Sequence, residues 1–270
     1  MPTTLCDRFS TSAPVVGMVH LPALPGSPGF DGDRSAIRDR ALTDATTLLE
    51  GGVDGLLVEN FGDAPFYPDS VPTHVVADLT AIVADLTDAV DVPVGVNVLR
   101  NDATAALSVA AAAGASFVHV AAAATDQGLL EGRAHETLRL RESLDADVDI
   151  LADVHVKHAT PLDGSDLERA TRETVERGLA DGVIVSGAGT GVGTALEDVE
   201  CVAETAATLE RRVPVFVGSG VTVDTVGDLL EAGADGAIVG TALKEGGETT
   251  NPVSLERVRD LLEAADDRRA

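Results

Sequence analysis

A single (β/α)8 TIM barrel of the α/β class is the architecture this sequence predicts, and three observations predict it. Apolar strand-like runs alternate with helical segments eight times along 270 residues. The composition is aliphatic and glycine-rich, with 27 glycines, six phenylalanines, one tyrosine and no tryptophan, which suits the doubly buried strands of a parallel sheet. The turn after the first run, HLPALPGSPGF from His20 to Phe30, is proline-laden and cannot open a helix there. That sets aside a doubly wound sheet, whose first turn would be a glycine-rich dinucleotide loop. With 44% hydrophobic residues the chain can bury one large core. One domain is expected over residues 1–270, with 1–13 as an N-terminal extension and 252–270 as a C-terminal helix.

The expected strands are Val15 to His20, Gly55 to Asn60, Val92 to Leu99, Ser116 to Ala121, Val148 to Lys157, Gly182 to Ser186, Val213 to Gly218 and Gly236 to Gly240. Each is a short apolar run rich in valine, isoleucine or leucine. Between them lie amphipathic or alanine-rich segments of helical length. Several end on glycine, as in AAAAGAS around Gly114, VERGLADG around Gly178 and LLEAGADG around Gly233.

In such a barrel the C-terminal ends of the strands carry the chemistry. Six of these strands end on polar residues: His20, Glu59 with Asn60, Asn97 with Arg100, His119, the group from Asp153 to His158, and Ser186. Alternation puts Glu59 at the parity of Leu57, Asn97 at that of Gly95 and His119 at that of Phe117, all facing inward. Ile150 to Pro161, ILADVHVKHATP, is the densest stretch. Read at period two, Asp153, His155 and Lys157 share one face, and Lys157 is one of only two lysines in the chain. An acid, an imidazole and an amine there suit a site floor better than a dry core.

The last three strands run into SGAGTGVG (Ser186 to Gly193), GSGVT (Gly218 to Thr222) and GTALK (Gly240 to Lys244). Glycine permits close backbone approach, and amides opening a helix receive anions. Ser186, Gly187, Gly218, Ser219, Gly220, Gly240 and Thr241 are the expected phosphate cradle. Asp126, in the long loop AAATDQGLLEGRAH, can contact ligand or cap a helix. The loop ENFGDAPFYPDSVP gathers Phe61, Phe66 and Tyr67, as a ligand lid or a subunit contact would. A homo-oligomer is expected.

Composition narrows the partners. The formal charge of −26, from 45 acidic against 19 basic residues, argues against nucleic acid and anionic membranes. A surface this acidic and lysine-poor resembles those adapted to molar salt, where a Debye length of about 3 Å screens self-repulsion. Cys6 and Cys201 are far apart and have no metal-ligand spacing. No apolar run of about eighteen residues exists, so neither export nor membrane insertion is expected, and the cytoplasm is. No cofactor is called for. A divalent metal such as magnesium, held by Asp153 and His155 with Glu59 or His20, is the alternative use of those side chains.

HLPALPGSP (20–28), ENFGDAPF (59–66), GVNVLRND (95–102), TDQGLLEG (125–132), DVHVKHA (153–159) and VGSGV (217–221) together resemble the BtpA family. The likeness spans nearly the whole chain in order. It implies a TIM barrel of ribulose-phosphate-binding character, with a phosphate-binding end. The family takes its name from a factor needed for photosystem I accumulation in cyanobacteria, but members occur in organisms without photosystems. One departure is the run Ala121 to Ala124, where the family pattern is more polar; it leaves His119 as the ionisable group of the fourth strand's exit. The expectation is an enzyme acting on a small phosphorylated sugar or related ester, by isomerisation, epimerisation or aldol-type cleavage. Lys157 would polarise a carbonyl or form an imine, His155 or Asp153 would move the proton with Glu59 as competing base, and Asn97 would orient a hydroxyl. A non-catalytic assembly factor with a retained anion site is the alternative from another class. A base-releasing hydrolase using Glu59, Asp126 and Asp153 ranks below both.

Overall fold

In the computed structural model, which describes residues 5–123, 130–156, 162, 164–187 and 193–269, eight parallel strands close into a barrel in sequence order. They are β1 (Val15–His20), β2 (Gly55–Glu59), β3 (Val94–Asn97), β4 (Phe117–Val120), β5 (Asp149–Asp153), β6 (Gly182–Val185), β7 (Val215–Val217) and β8 (Gly236–Val239). Around them pack α1 (Arg34–Gly51), α2 (Thr73–Ala89), α3 (Ala103–Ala113), α4 (Ala134–Ser143), α5 (Leu167–Glu176), α6 (Leu196–Ala207), α7 (Val226–Glu231) and α8 (Leu255–Arg269).

Local chemistry sets these boundaries. The Asp33 carboxylate accepts from the amides of Ser35 and Ala36 to open α1, and Gly52, at φ +100°, closes it in the left-handed region. Asp102 and Asp166 open α3 and α5 in the same way. An Asp-Gly pair recurs before strands, and its acid pins the neighbouring strand: Asp54 accepts from Val15 N at 2.8 Å, Asp181 from Ile150 N at 2.9 Å, and Asp235 from Val215 N at 2.9 Å. One short motif thus starts two adjacent strands together.

Alternation separates two cores. Val58, Val96, Val118, Ala152, Val183 and Val215 face the helices in one large cluster, while Met18, Leu57, Phe117, Leu151, Ile184, Phe216 and Ile238 fill the barrel. The N-terminal segment closes the bottom. Leu5 and Phe9 join the interior cluster, the Phe9 ring centroid lying 6.2 Å from Phe117 and 6.1 Å from Phe216. Arg8 holds the segment there through Asp149 at 2.5 Å and Asp147 at 2.8 Å. Burial is the leading influence on Asp149 and raises its pKa, against the opposing pull of Arg8.

The interior is filled by pairing aromatics with glycines. A Cβ at Gly95 would stand 2.2 Å from the Phe117 ring. Gly95→Ala is therefore expected to destabilise by about 1–3 kcal/mol, because a close-packed interior has no room to shift the ring. Thermal unfolding reads this directly, and an unchanged melting temperature would show that the ring yields freely.

Most strands are shorter than their expected runs, and for the site the shortening of β5 matters most. β5 stops at Asp153 and Val154 and His155 form a bend, so the alternation that put His155 beside Asp153 does not continue. Both neighbouring ladders have run out: β4 pairs only as far as Val120 with Ala152, and β6 as far as Ile184 with Asp153. A final bond from Val154 N to Ile184 O, 3.0 Å, ends the pairing. The last helix is likewise shorter at its start, because Pro252 and Val253 pair back on Glu245 and Lys244 before α8 begins.

Candidate active site

The register brings six strand ends to one mouth. His20 lies opposite Glu59, Glu59 opposite Asn97, and Asn97 opposite His119 across successive ladders. Their side chains form two linked pairs. Asn97 Nδ2 donates to Glu59 Oε2 at 2.6 Å, and Glu59 Oε1 lies 3.8 Å from His20 Nε2. Next to them His119 Nε2 lies 3.2 Å from Asp153 Oδ1, and Ser186 Oγ lies 3.1 Å from the same oxygen. Glu59, Asn97 and Asp153 are all buried. A buried carboxylate is stable only when bonded, and each here has a named partner.

These pairs open on a cavity of about 420 Å³ lined by His20, Glu59 and His119 on one side and Gly218, Ser219, Gly220, Gly240 and Thr241 on the other. The glycine turns are close-packed from behind. A Cβ on Gly218 would meet the Ile238 carbonyl at 2.8 Å, and one on Gly240 would meet the His20 imidazole at 2.8 Å. Neither position has room for a side chain, so each turn presents backbone alone. Gly220 sits at φ +77°. Thr241 opens a short 3-10 turn, Thr241–Leu243, and its hydroxyl is 2.9 Å from that of Thr249.

Other expected site residues lie behind or beside this cavity. Asn97, Asp153, Ser186 and Gly187 are not part of its lining; the first three act on it through Glu59, His119 and Gly218. Asn60 is buried and structural: its amide donates to Asp63 at 3.0 Å and its carbonyl oxygen accepts from Leu99 N at 2.7 Å. Asp63 in turn accepts from Leu24 N, and burial is the main influence raising its pKa. These bonds tie the exits of β1, β2 and β3 together. Arg100 is exposed, with its backbone amide on Tyr67 O at 3.3 Å, and is absent from the lining. His155 is half-buried beyond the end of β5 and also absent from it. Lys157 and Asp126 lie outside the described residues.

Among the described residues no three His, Cys, Asp or Glu side chains gather as a metal-binding group. Asp153 is turned to His119 and Ser186, and Glu59 to Asn97, so the expected grouping with His155 does not form.

Phe61, expected as part of a lid or a subunit contact, lines the cavity, and Arg257 is a lining residue that the sequence pattern did not single out. Phe61 stacks at a tilt on His20 with centroids 5.0 Å apart, closing one wall. Arg257, in the first turn of α8, donates Nε to Ala242 O at 2.7 Å and is part of the cavity lining. The signal for Arg257 was its place just after the eighth strand's loop, where barrels often carry an anion site.

Residues 11–267 match the BtpA family. The chain belongs to that family. Photosystem I biogenesis protein BtpA of Synechocystis sp. is 48% identical over 96% of this chain and 90% of its own length. Among solved structures, thiamine phosphate pyrophosphorylase from Pyrococcus furiosus superposes at a TM-score of 0.57 with 17% identity, covering 96% of this chain and 98% of its own. N-(5'-phosphoribosyl)anthranilate isomerase from the same organism does so at 0.58 with 12% identity, covering 94% and 99%. At such identity the structural likeness establishes the barrel alone. Within this BtpA-family chain no described helix is long and apolar enough to cross a membrane.

Proposed function

We propose that this BtpA-family protein is an enzyme acting on a small phosphorylated sugar or a related phosphate ester, by proton transfer at carbon next to a carbonyl. The observation that carries this is the pairing of His119 with Asp153, and of His20 with Glu59, around the same cavity as the glycine turns after β7 and β8. Phosphate would rest on the amides of those turns, with Arg257 at the rim. The carbonyl end then reaches Glu59 and His119. Glu59, held by Asn97, removes the proton from carbon; His119 donates to the carbonyl oxygen, and Asp153 balances the imidazolium that donation requires. Returning the proton to the neighbouring carbon gives isomerisation, and returning it to the same carbon gives epimerisation. Lys157 adds imine chemistry to this reading if its amine reaches the cavity. Solved relatives in fold whose names refer to phosphate-bearing compounds support the reading without supplying the reaction.

The test is thermal shift against phosphorylated pentoses, with and without magnesium, in dilute buffer and in molar KCl. A ligand at about 100 times its Kd stabilises by about 2.7 kcal/mol, several degrees for a chain of this size. Phosphorylated compounds should raise the melting temperature while their dephosphorylated forms do not. Equal response to both, or to neither, would overturn the reading.

The second reading, an assembly factor with an anion site, is favoured by the name of the Synechocystis relative. Lys157→Ala separates the two: an enzyme loses turnover, and an assembly factor keeps its partner. A cytoplasmic, homo-oligomeric protein working at high salt completes our proposal.

A further inference from the structure

Ser186 follows β6 and its hydroxyl is shared between two acceptors. Its Oγ lies 2.8 Å from the Gly218 carbonyl oxygen and 3.1 Å from Asp153 Oδ1. A serine hydroxyl has one hydrogen, and an ionised carboxylate and a carbonyl have none to give. The hydroxyl can serve only one of them at a time. When it turns to Gly218, Asp153 Oδ1 is left to its other neighbour, His119 Nε2, a buried nitrogen 3.2 Å away that makes no aligned hydrogen bond as it stands. When it turns to Asp153, that demand on His119 is halved.

The Gly218 carbonyl belongs to the same planar peptide unit as the Ser219 amide, and the two point in opposite directions across that plane. Gly218 and Ser219 both line the cavity. An anion resting on the Ser219 amide would polarise the peptide and make the Gly218 oxygen a stronger acceptor, as linked hydrogen bonds reinforce one another. The Ser186 hydrogen would then leave Asp153.

We propose that Ser186 is a positioning residue that links occupancy of the glycine turns to His119: a phosphate group bound there draws the serine hydrogen to Gly218 and fixes His119 as the Nε2–H tautomer facing Asp153. This rests on the phosphate reading above and deepens it. With Nε2–H committed to Asp153, Nδ1 is the nitrogen that carries the imidazolium's second hydrogen to the carbonyl oxygen, so a seated phosphate favours phosphorylated over plain substrates at the proton-transfer step as well as in binding.

The experiment uses the full-length protein labelled with 15N-histidine, at one fixed pH, with the His119 signals identified by their loss in His119→Gln. Inorganic phosphate is the probe. In the wild type, phosphate should move the His119 ring nitrogens toward the Nε2–H pattern. In Ser186→Ala, phosphate should still bind within about threefold, because the amides remain, while the His119 shifts no longer respond. Ser186→Thr should restore the response. An identical response in Ser186→Ala would overturn the linkage. Should the wild type bind no phosphate, the cradle reading falls and the linkage with it, whereas phosphate binding with no His119 response would overturn the linkage alone.

Discussion

His119→Gln is expected to lower turnover of the phosphorylated substrate by about 10²- to 10⁴-fold, the range by which a positioned acid or base accelerates proton transfer. Affinity for inorganic phosphate should stay within about threefold. The two halves of this expectation come from separate parts of the mouth. His119 is at the end of β4, with Nε2 3.2 Å from Asp153 Oδ1, whereas the anion cradle is built from turns after β7 and β8. Glutamine keeps a hydrogen-bonding group of similar reach but cannot alternate between acid and base. Steady-state kinetics beside phosphate titration checks it. A loss of phosphate affinity in step with turnover would make His119 part of the cradle, and unchanged turnover would remove it from the chemistry.

The barrel was legible because its signals are local. Strand length, period-two alternation and glycine-ended helices are each written within about a dozen residues, and the inward parity of Glu59, Asn97 and His119 follows from them. The tail of β5 was not legible. VHVK alternates as well as any strand, yet a strand persists only while its neighbours offer a ladder, and Val120 and Ile184 end those ladders. Periodicity in one segment carries no information about where another stops. The same limit hid the role of the second lysine. Lysine scarcity drew attention to Lys157, while Lys244 read as part of a glycine turn, because its counter-ion lies 200 residues away. Arg257 was missed for a related reason: its contact with Ala242 forms only after the loop from Thr241 to Ser254 has doubled back.

Asp44→Ala is expected to destabilise the protein by about 3–5 kcal/mol, the cost of removing one partner from a buried ion pair. Lys244 is fully buried between the barrel wall and α1, and its Nζ donates to Met18 O at 3.0 Å and Asp44 Oδ2 at 3.4 Å. Asp44 also accepts from Val253 N at 3.0 Å and lies 3.1 Å from Arg40 Nε. Removing it leaves an ammonium with one carbonyl and an orphaned amide, whereas Arg40 is partly exposed and can turn to water. Adding Lys244→Met to Asp44→Ala should recover part of the loss, but not the Val253 share, and a double-mutant cycle measures the coupling. The pH dependence supplies an independent check. Burial pushes the Lys244 ammonium down from 10.5 to about 8, against the opposing pull of Asp44. The unfolded chain therefore binds this proton more tightly, unfolding takes up a proton between about pH 8 and 10.5, and stability rises with pH across that window. The contribution is about 3 kcal/mol at most, and it should vanish in Lys244→Met. Denaturant unfolding of the two proteins at pH 7.5 and pH 10 would show the difference, and parallel curves would mean that the lysine is not held as a buried cation.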